Sequence, residues 1–299
     1  MNAETAFHTH RPRLMALAYR LLGSRSDAED VVQDAWLRWS GADTAAIADP
    51  EAWLVTTTTR LGLDRLRAAK RERAHYVGPW LAEPLAITLE PDPAPGPAQL
   101  HALADDVSVA FLTLLEQLGP EERAAFLLKE AFDHDYREIA ELIGHSEPNC
   151  RQLVHRARQR LQAGRPRFNA DASQHRQLLT RFMDASQRGD SEAIQALLHA
   201  NALLVSDGGG VVTAAVRPLL GAERIGRLYW AIARRGAAHP AQLGYVNGEP
   251  AILRFEGDHL HSITTIEVVD GRIANLYSVL NPEKLPAVVT RSDAAASLY

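Results

Sequence analysis

Between residues 76 and 99 the chain reads YVGPWLAEPLAITLEPDPAPGPAQ, proline after proline with no lysine or arginine, and neither a helix nor a central strand can run through it. This segment therefore reads as a tether, with polyproline character near its end. Its start is different. Tyr76, Val77, Trp80, Leu81 and Leu85 are too apolar for a free linker, which points to a segment docked in a groove. A length of 299 residues allows about two ordinary domains or three small ones, and the patterning gives three. The expected division is a helical module over 1–75, the linker over 76–105, a second helical module over 106–165, an α+β domain over 172–290 and a tail over 291–299.

Residues 136–161 predict a helix, a tight turn and a second helix. Ile139, Ala140, Leu142 and Ile143 make a short apolar face, Gly144 supplies the turn, and Ser146 caps a helix whose first turn tolerates Pro148. In that second helix Cys150, Val154, Ala157 and Leu161 recur at helical spacing, leaving Arg151, Gln152, His155, Arg156, Arg158 and Arg160 outward. Residues 151–167 hold six arginines and no acid. Such a helix suits the DNA major groove, where arginine pairs with guanine or phosphate. The bland alternative is a solvated basic helix.

A net charge of −5 by itself points to no nucleic-acid partner, but the average hides segregation. Residues 60–73 hold six bases against two acids, whereas residues 27–51 hold seven acids against one base. The acids crowd the start of a helix, DAEDVVQDAW, where the helix dipole favours them; they make either a solvated cap or an acidic docking face. The basic run ends a helix over about 51–73 whose first half carries Trp53, Leu54 and four threonines. Hydroxyls and arginines beside an aromatic are what partly melted DNA needs, and the alternative is a buried helix with a solvated basic end.

After residues 164–166 the pattern changes. Two helices, a hairpin around residues 207–210, a helix over about 222–234 and a meander over 241–279 predict one curved antiparallel sheet wrapped on helices, a cone enclosing a pocket. The lone cysteine, Cys150, reads as core. No Cys/His cluster for a metal is available and no cofactor is expected. No run reaches the roughly 18 apolar residues that span a bilayer, so no membrane partner and a cytoplasmic location are expected.

Three features coincide: the acidic DAEDVVQDAW helix, the basic TTTTRLGLDRLRAAKRER helix, and the LGPEERAAFLLKEAF…YREIAELIGHS…CRQLVHRARQRL module. Together they resemble the two regions of bacterial extracytoplasmic-function sigma factors, with a C-terminal part that looks like a SnoaL-like domain. The stretches YVGPWLAEPL, SDGGG and NPEKL resemble motifs of sigma factors with that fused domain. The resemblance implies two small all-α domains, the second with the helix-turn-helix, followed by an α+β cone. It implies core RNA polymerase and promoter DNA as partners, with regulation in cis by the C-terminal domain. Asp27, Glu29, Asp30, Gln33, Asp34 and Trp36 would grip the polymerase; Arg60, Asp64, Arg65 and Arg67 would read and open the minus-10 element; Arg151, Gln152, His155, Arg156 and Arg158 would read the minus-35 element. Tyr76, Trp80, Leu81 and Leu85 are expected to pack near Asp207, Gly208, Gly209 and Gly210 and near Asn281, Pro282, Lys284 and Leu285. Two positions depart from the group: Ala82 stands where proline is usual, and Val211 where a lysine follows the glycines.

Two rival readings carry less weight. A proton-shuttling enzyme would use Asp207 with Tyr229, Tyr245, His259 and His261 lining the cone, but Asp-Gly is common turn chemistry and the carboxylate has no identifiable partner. Binding of a small-molecule ligand in the cone without chemistry is the better expectation, and no enzyme activity is expected. A ligand-sensing helix-turn-helix regulator would have no need of the acidic helix.

Overall fold

The computed structural model describes residues 3–89, 108–164 and 172–285; the proline-rich end of the tether and the tail lie outside them. The described residues divide into a helical body and an α+β body. Among them no helix is long and apolar enough to cross a membrane.

The helical body begins with α1 (Ala3–Leu22), α2 (Arg25–Ser40) and α3 (Pro50–Arg73). Ser24 caps α2 by accepting from the Asp27 amide, and Asp49 caps α3 ahead of Pro50, whose missing N–H costs nothing in a first turn. Leu14, Leu17, Leu21, Leu54, Leu66 and Trp39 fill the interior, and the Trp39 indole N–H donates to the Ala3 carbonyl at 2.7 Å. The second module follows as α4 (Val109–Leu115), α5 (Pro120–Glu130), α6 (Tyr136–Ile143) and α7 (Glu147–Gly164). Gly144 ends α6 in the left-handed conformation at φ 74°, the turn expected of a helix-turn-helix.

Apart from Val109 and Ala110 at the start of α4, both modules belong to the helical body, and an ionic network built on buried Arg123 joins them. Arg123 of α5 is fully buried; its Nε donates to the Arg20 carbonyl at 3.0 Å and its Nη1 pairs with Glu116. Glu116 also meets Arg73 of α3 at 2.6 Å. Burial alone would push the Glu116 carboxyl up, but Arg123 and Arg73 outweigh it and hold the group below its ordinary value. Arg67 reaches Glu121 at 2.9 Å, and the Lys70 ammonium donates to the Leu118 carbonyl.

The α+β body contains α8 (Ala172–Arg188), α9 (Ser191–Leu197), β2 (Leu198–Asp207), β3 (Leu219–Leu220), α10 (Ala222–Arg234) and the meander β4 (Ala241–Val246), β5 (Glu249–Glu256), β6 (His259–Val269) and β7 (Arg272–Val279). A strand from the tether, β1 (Ile87–Thr88), completes a sheet of order β1-β4-β5-β6-β7-β2-β3. One face packs Leu204, Ile252, Ile266 and Leu276 against Leu179, Phe182 and Ile225 of the helices. The opposite face carries Val205, Leu253, Phe255, Ile263 and Val279, with Leu81 of the tether buried among them.

Two sequence expectations are corrected. The sheet is mixed, because the long crossover through α10 lets β2 run parallel to β7. Residues 211–216 do not form the second arm of a hairpin. The amides of Val211 and Val212 both turn back onto the Gly208 carbonyl, at 3.0 and 3.2 Å, which spends the donors a ladder would need; β3 pairs with β2 instead.

Candidate nucleic-acid interface and linker clamp

Helical spacing places Asp30, Gln33, Asp34 and Leu37 along one exposed stripe of α2, with Leu37 58% exposed. Glu29 is exposed beside it and pairs with Arg25 at 2.9 Å. Asp27 lies off the stripe, bound to Arg65 at 2.7 Å, and Trp36 packs against Phe7 in a tilted pair with ring centroids 4.9 Å apart. Leu37 was missed in sequence because it breaks an acidic pattern; its signal was the spacing of seven from Asp30.

Asp49, Ala52, Trp53, Thr56, Thr57 and Arg60 line an open surface pocket of about 620 Å³, with Arg38 of α2 on its wall. Of the four threonines, Thr56 and Thr57 face this pocket while Thr58 and Thr59 are fully buried. Arg60 donates to the Glu141 carbonyl at 3.2 Å, Arg67 is shared between Asp64 at 3.0 Å and Glu121, and Arg65 serves Asp27 and Glu72. Only Arg60 of the four predicted minus-10 residues therefore lines the pocket. Arg38 is the residue the sequence reading left out, since it lies on the acidic helix.

On α7 the predicted side chains Arg151, Gln152, His155, Arg156 and Arg158 are all exposed, and Cys150, Val154, Ala157 and Leu161 are buried beneath them. Burial first, then the Glu147 charge, raises the Cys150 thiol pKa, as suits an inert core residue. The basic face is partly neutralised: Arg156 and Arg160 converge on Glu122, Arg158 meets Glu130 at 2.5 Å, and Arg151 pairs with Glu147 while lying over the Tyr136 ring. Gln152 and His155 stand at the exposed N-terminal half, where base edges are read in this geometry.

In the α+β body the three motifs converge on Asp207, which is fully buried at the end of β2. Its carboxylate accepts from the Tyr76 hydroxyl at 2.6 Å, the Leu81 amide at 2.8 Å and the Gly209 amide at 3.1 Å, and pairs with Lys284 at 2.7 Å. Its own carbonyl accepts from the Leu280 and Asn281 amides. Lys284 also donates to the Leu81 carbonyl at 2.7 Å and sits 4.0 Å from the centroid of the Trp80 ring. Burial, and then the bond to Asp207, pushes the Tyr76 phenol well above its ordinary pKa, so it stays a neutral donor. The Leu85 and Ala86 amides donate to Asn247, fixing the far end of the segment.

A Cβ on Gly209 would lie 2.4 Å from Asn281 Nδ2, and one on Gly210 3.0 Å from Val77 Cβ, so both close approaches need glycine; both residues also have positive φ. Leu285 packs against the outer-face cluster, and Pro282 opens the short turn that delivers Lys284. Val211 is 60% exposed, and the cation that meets Asp207 is Lys284. Ala82, in the place of a usual proline, is fully buried.

On its helix-facing side the sheet encloses a cavity of about 610 Å³ whose walls include Tyr229, Arg254, His239, His261, Ser186 and Thr264. Among the described residues its lining holds no carboxylate, and Asp207 is engaged instead by the tether.

Residues 6–72 match the family model for Sigma-70 region 2, and residues 108–161 that for Sigma-70, region 4. The chain is 38% identical over 290 residues to the ECF RNA polymerase sigma factor SigJ of Mycobacterium tuberculosis, covering 93% of this chain and 91% of that one. It is 32% identical over 286 residues to the probable sigma factor SigI of the same species, covering 94% and 93%. The crystal structure of Mycobacterium tuberculosis SigJ superposes with a TM-score of 0.75 at 35% identity, over 94% of this chain and 97% of that one.

Proposed function

The chain belongs to the extracytoplasmic-function RNA polymerase sigma factors, and from that premise we propose how its surfaces divide the work. Sigma factors bind core RNA polymerase and promoter DNA, which places this work in the cytoplasm. The α2 stripe of Asp30, Gln33, Asp34 and Leu37, flanked by Glu29, takes the polymerase; Asp27 and Trp36 support it from behind through Arg65 and Phe7. The pocket of Arg38, Trp53, Thr56, Thr57 and Arg60 receives an unstacked base of the minus-10 element, with Asp64, Arg65 and Arg67 ordering its helix. Arg151, Gln152, His155, Arg156 and Arg158 face the minus-35 element. The C-terminal domain regulates in cis by holding the tether at Asp207, and its cone receives a small molecule.

The observation that carries this reading is the separation of an exposed acidic stripe on α2 from an aromatic and hydroxyl-lined basic pocket on α3, two surfaces of opposite chemistry on one small module. Purification with core polymerase followed by run-off transcription tests it. Asp30→Lys with Asp34→Lys is expected to weaken polymerase association at least tenfold while the chain stays folded. Undiminished association would remove the stripe from the interface.

A further inference from the structure

We infer that the cone is a receptor for a small organic acid, an apolar body carrying one carboxylate-type anion, with Arg254 as its counter-ion. This rests on the reading of the cone as a small-molecule pocket and deepens it. Arg254 projects from β5 into the cavity wall. Its Nη1 donates to Thr264 Oγ1 at 3.1 Å and its Nη2 to Ser186 Oγ at 3.0 Å, and the guanidinium lies 5.7 Å from the Tyr229 ring centroid. These partners are neutral. Among the described residues no carboxylate pairs with Arg254, whereas Arg65, Arg67, Arg73 and Arg123 in the helical body each have one.

A guanidinium withdrawn from water and given only hydroxyls and a ring lacks the one partner that matches its fork of donors. Desolvation accordingly pulls its pKa down. The surroundings reinforce the deficit. His239 and His261 stack at 3.9 Å on the same cavity and Arg235 lies on its wall, while the Glu256 carboxylate, outside the lining, approaches His261 at 3.9 Å and leaves Arg254 unpaired. An incoming anion would therefore meet a guanidinium whose hydrogen-bond partners are all neutral, set in a largely apolar wall. The remaining wall, with Leu204, Val212, Leu228, Ile232 and Leu280, is apolar and suits a hydrocarbon body. The volume of about 610 Å³ falls within the range of roughly 300–1,000 Å³ usual for small-molecule sites. Thr264 Oγ1 is bonded at 2.9 Å to Ser278 Oγ, so the hydroxyls that hold the guanidinium are themselves held.

The test titrates the full chain with two fluorescent probes that share an aromatic body: anionic 1-anilinonaphthalene-8-sulfonate and uncharged N-phenyl-1-naphthylamine. The expected result is saturable binding of both, with the anion at least tenfold tighter. Arg254→Gln should remove that preference and leave the neutral probe within about twofold, while Arg254→Lys retains much of it. Competition on the unaltered chain needs no variant: octanoate should displace the sulfonate probe at least tenfold more effectively than 1-octanol. Equal displacement, or undiminished anion binding by Arg254→Gln, overturns the anion assignment and leaves a neutral-ligand pocket. Absence of saturable binding by either probe overturns the pocket itself.

Discussion

Glu116, largely buried, and Asp207, fully buried, are carboxylates that each gather cationic and hydrogen-bonding partners within their own body. Glu116 lies between Arg73 and Arg123, so its removal strands a fully buried guanidinium. Glu116→Gln is expected to cost the helical body roughly 3–5 kcal/mol at neutral pH, read by chemical denaturation. Because the folded-state pKa lies below the ordinary value of 4.5, the carboxylate's contribution is fully present above that value. It is lost as pH falls through the folded value, so the gap between wild type and variant should close in acid. A gap that stayed constant down to that pH would mean the carboxylate is not linked to folding. Asp207 instead gathers donors from the tether, its own loop and the C-terminal turn. Asp207→Asn keeps the shape but loses the Lys284 pair and offers donors where Tyr76 and the Leu81 amide already donate. It should free the tether, seen as a red shift of Trp80 emission in a chain whose other tryptophans are replaced. Unchanged emission would show that apolar packing alone holds the segment.

At the scale of elements, the same logic makes the loop of residues 208–210 part of the clamp. Gly209→Val would drive a side chain into Asn281 and force a β-branched residue to φ 62°, so it should loosen the tether as Asp207→Asn does. Protease cleavage within residues 76–89 is the readout, and a variant as resistant as wild type would exclude the loop. Much of this was legible in sequence: SDGGG, NPEKL and YVGPWLAEPL pointed to mutual packing, and Gly144, Ser146 and the buried stripe of α7 stood where periodicity put them. Other features were hidden for physical reasons. The parallel pairing of β2 with β7 depends on a crossover direction that alternation does not encode. That Lys284 supplies the cation is a matter of tertiary convergence over 77 residues, and Arg38 joins the α3 pocket only because α2 and α3 pack together. The lack of an acid around Arg254 could not be seen until the strands had registered.

For the whole molecule the consequence is one of reach. Residues 76–89 could span about 45–50 Å if extended, at roughly 3.3–3.6 Å per residue, but bound to Asp207 and Asn247 they are kept from extending. The two promoter-binding modules are meanwhile tied together through Arg67, Lys70, Arg73 and Arg123, and under the proposed division of work these contacts open when two separated DNA elements are engaged. Releasing the clamp returns slack to the tether, and each 1.4 kcal/mol removed from the closed state shifts the opening equilibrium about tenfold. Ending the chain before Asn281 removes Lys284, Leu285 and the Asn281 contacts to Tyr76 while leaving β7 whole. Promoter-dependent run-off transcription with core polymerase should then rise several-fold over the full chain at equal polymerase occupancy. The gain should be largest on promoters with the widest spacing between their two elements. Equal activity at every spacing would leave the Asp207 node as a stabilising feature of the C-terminal domain with no part in promoter use.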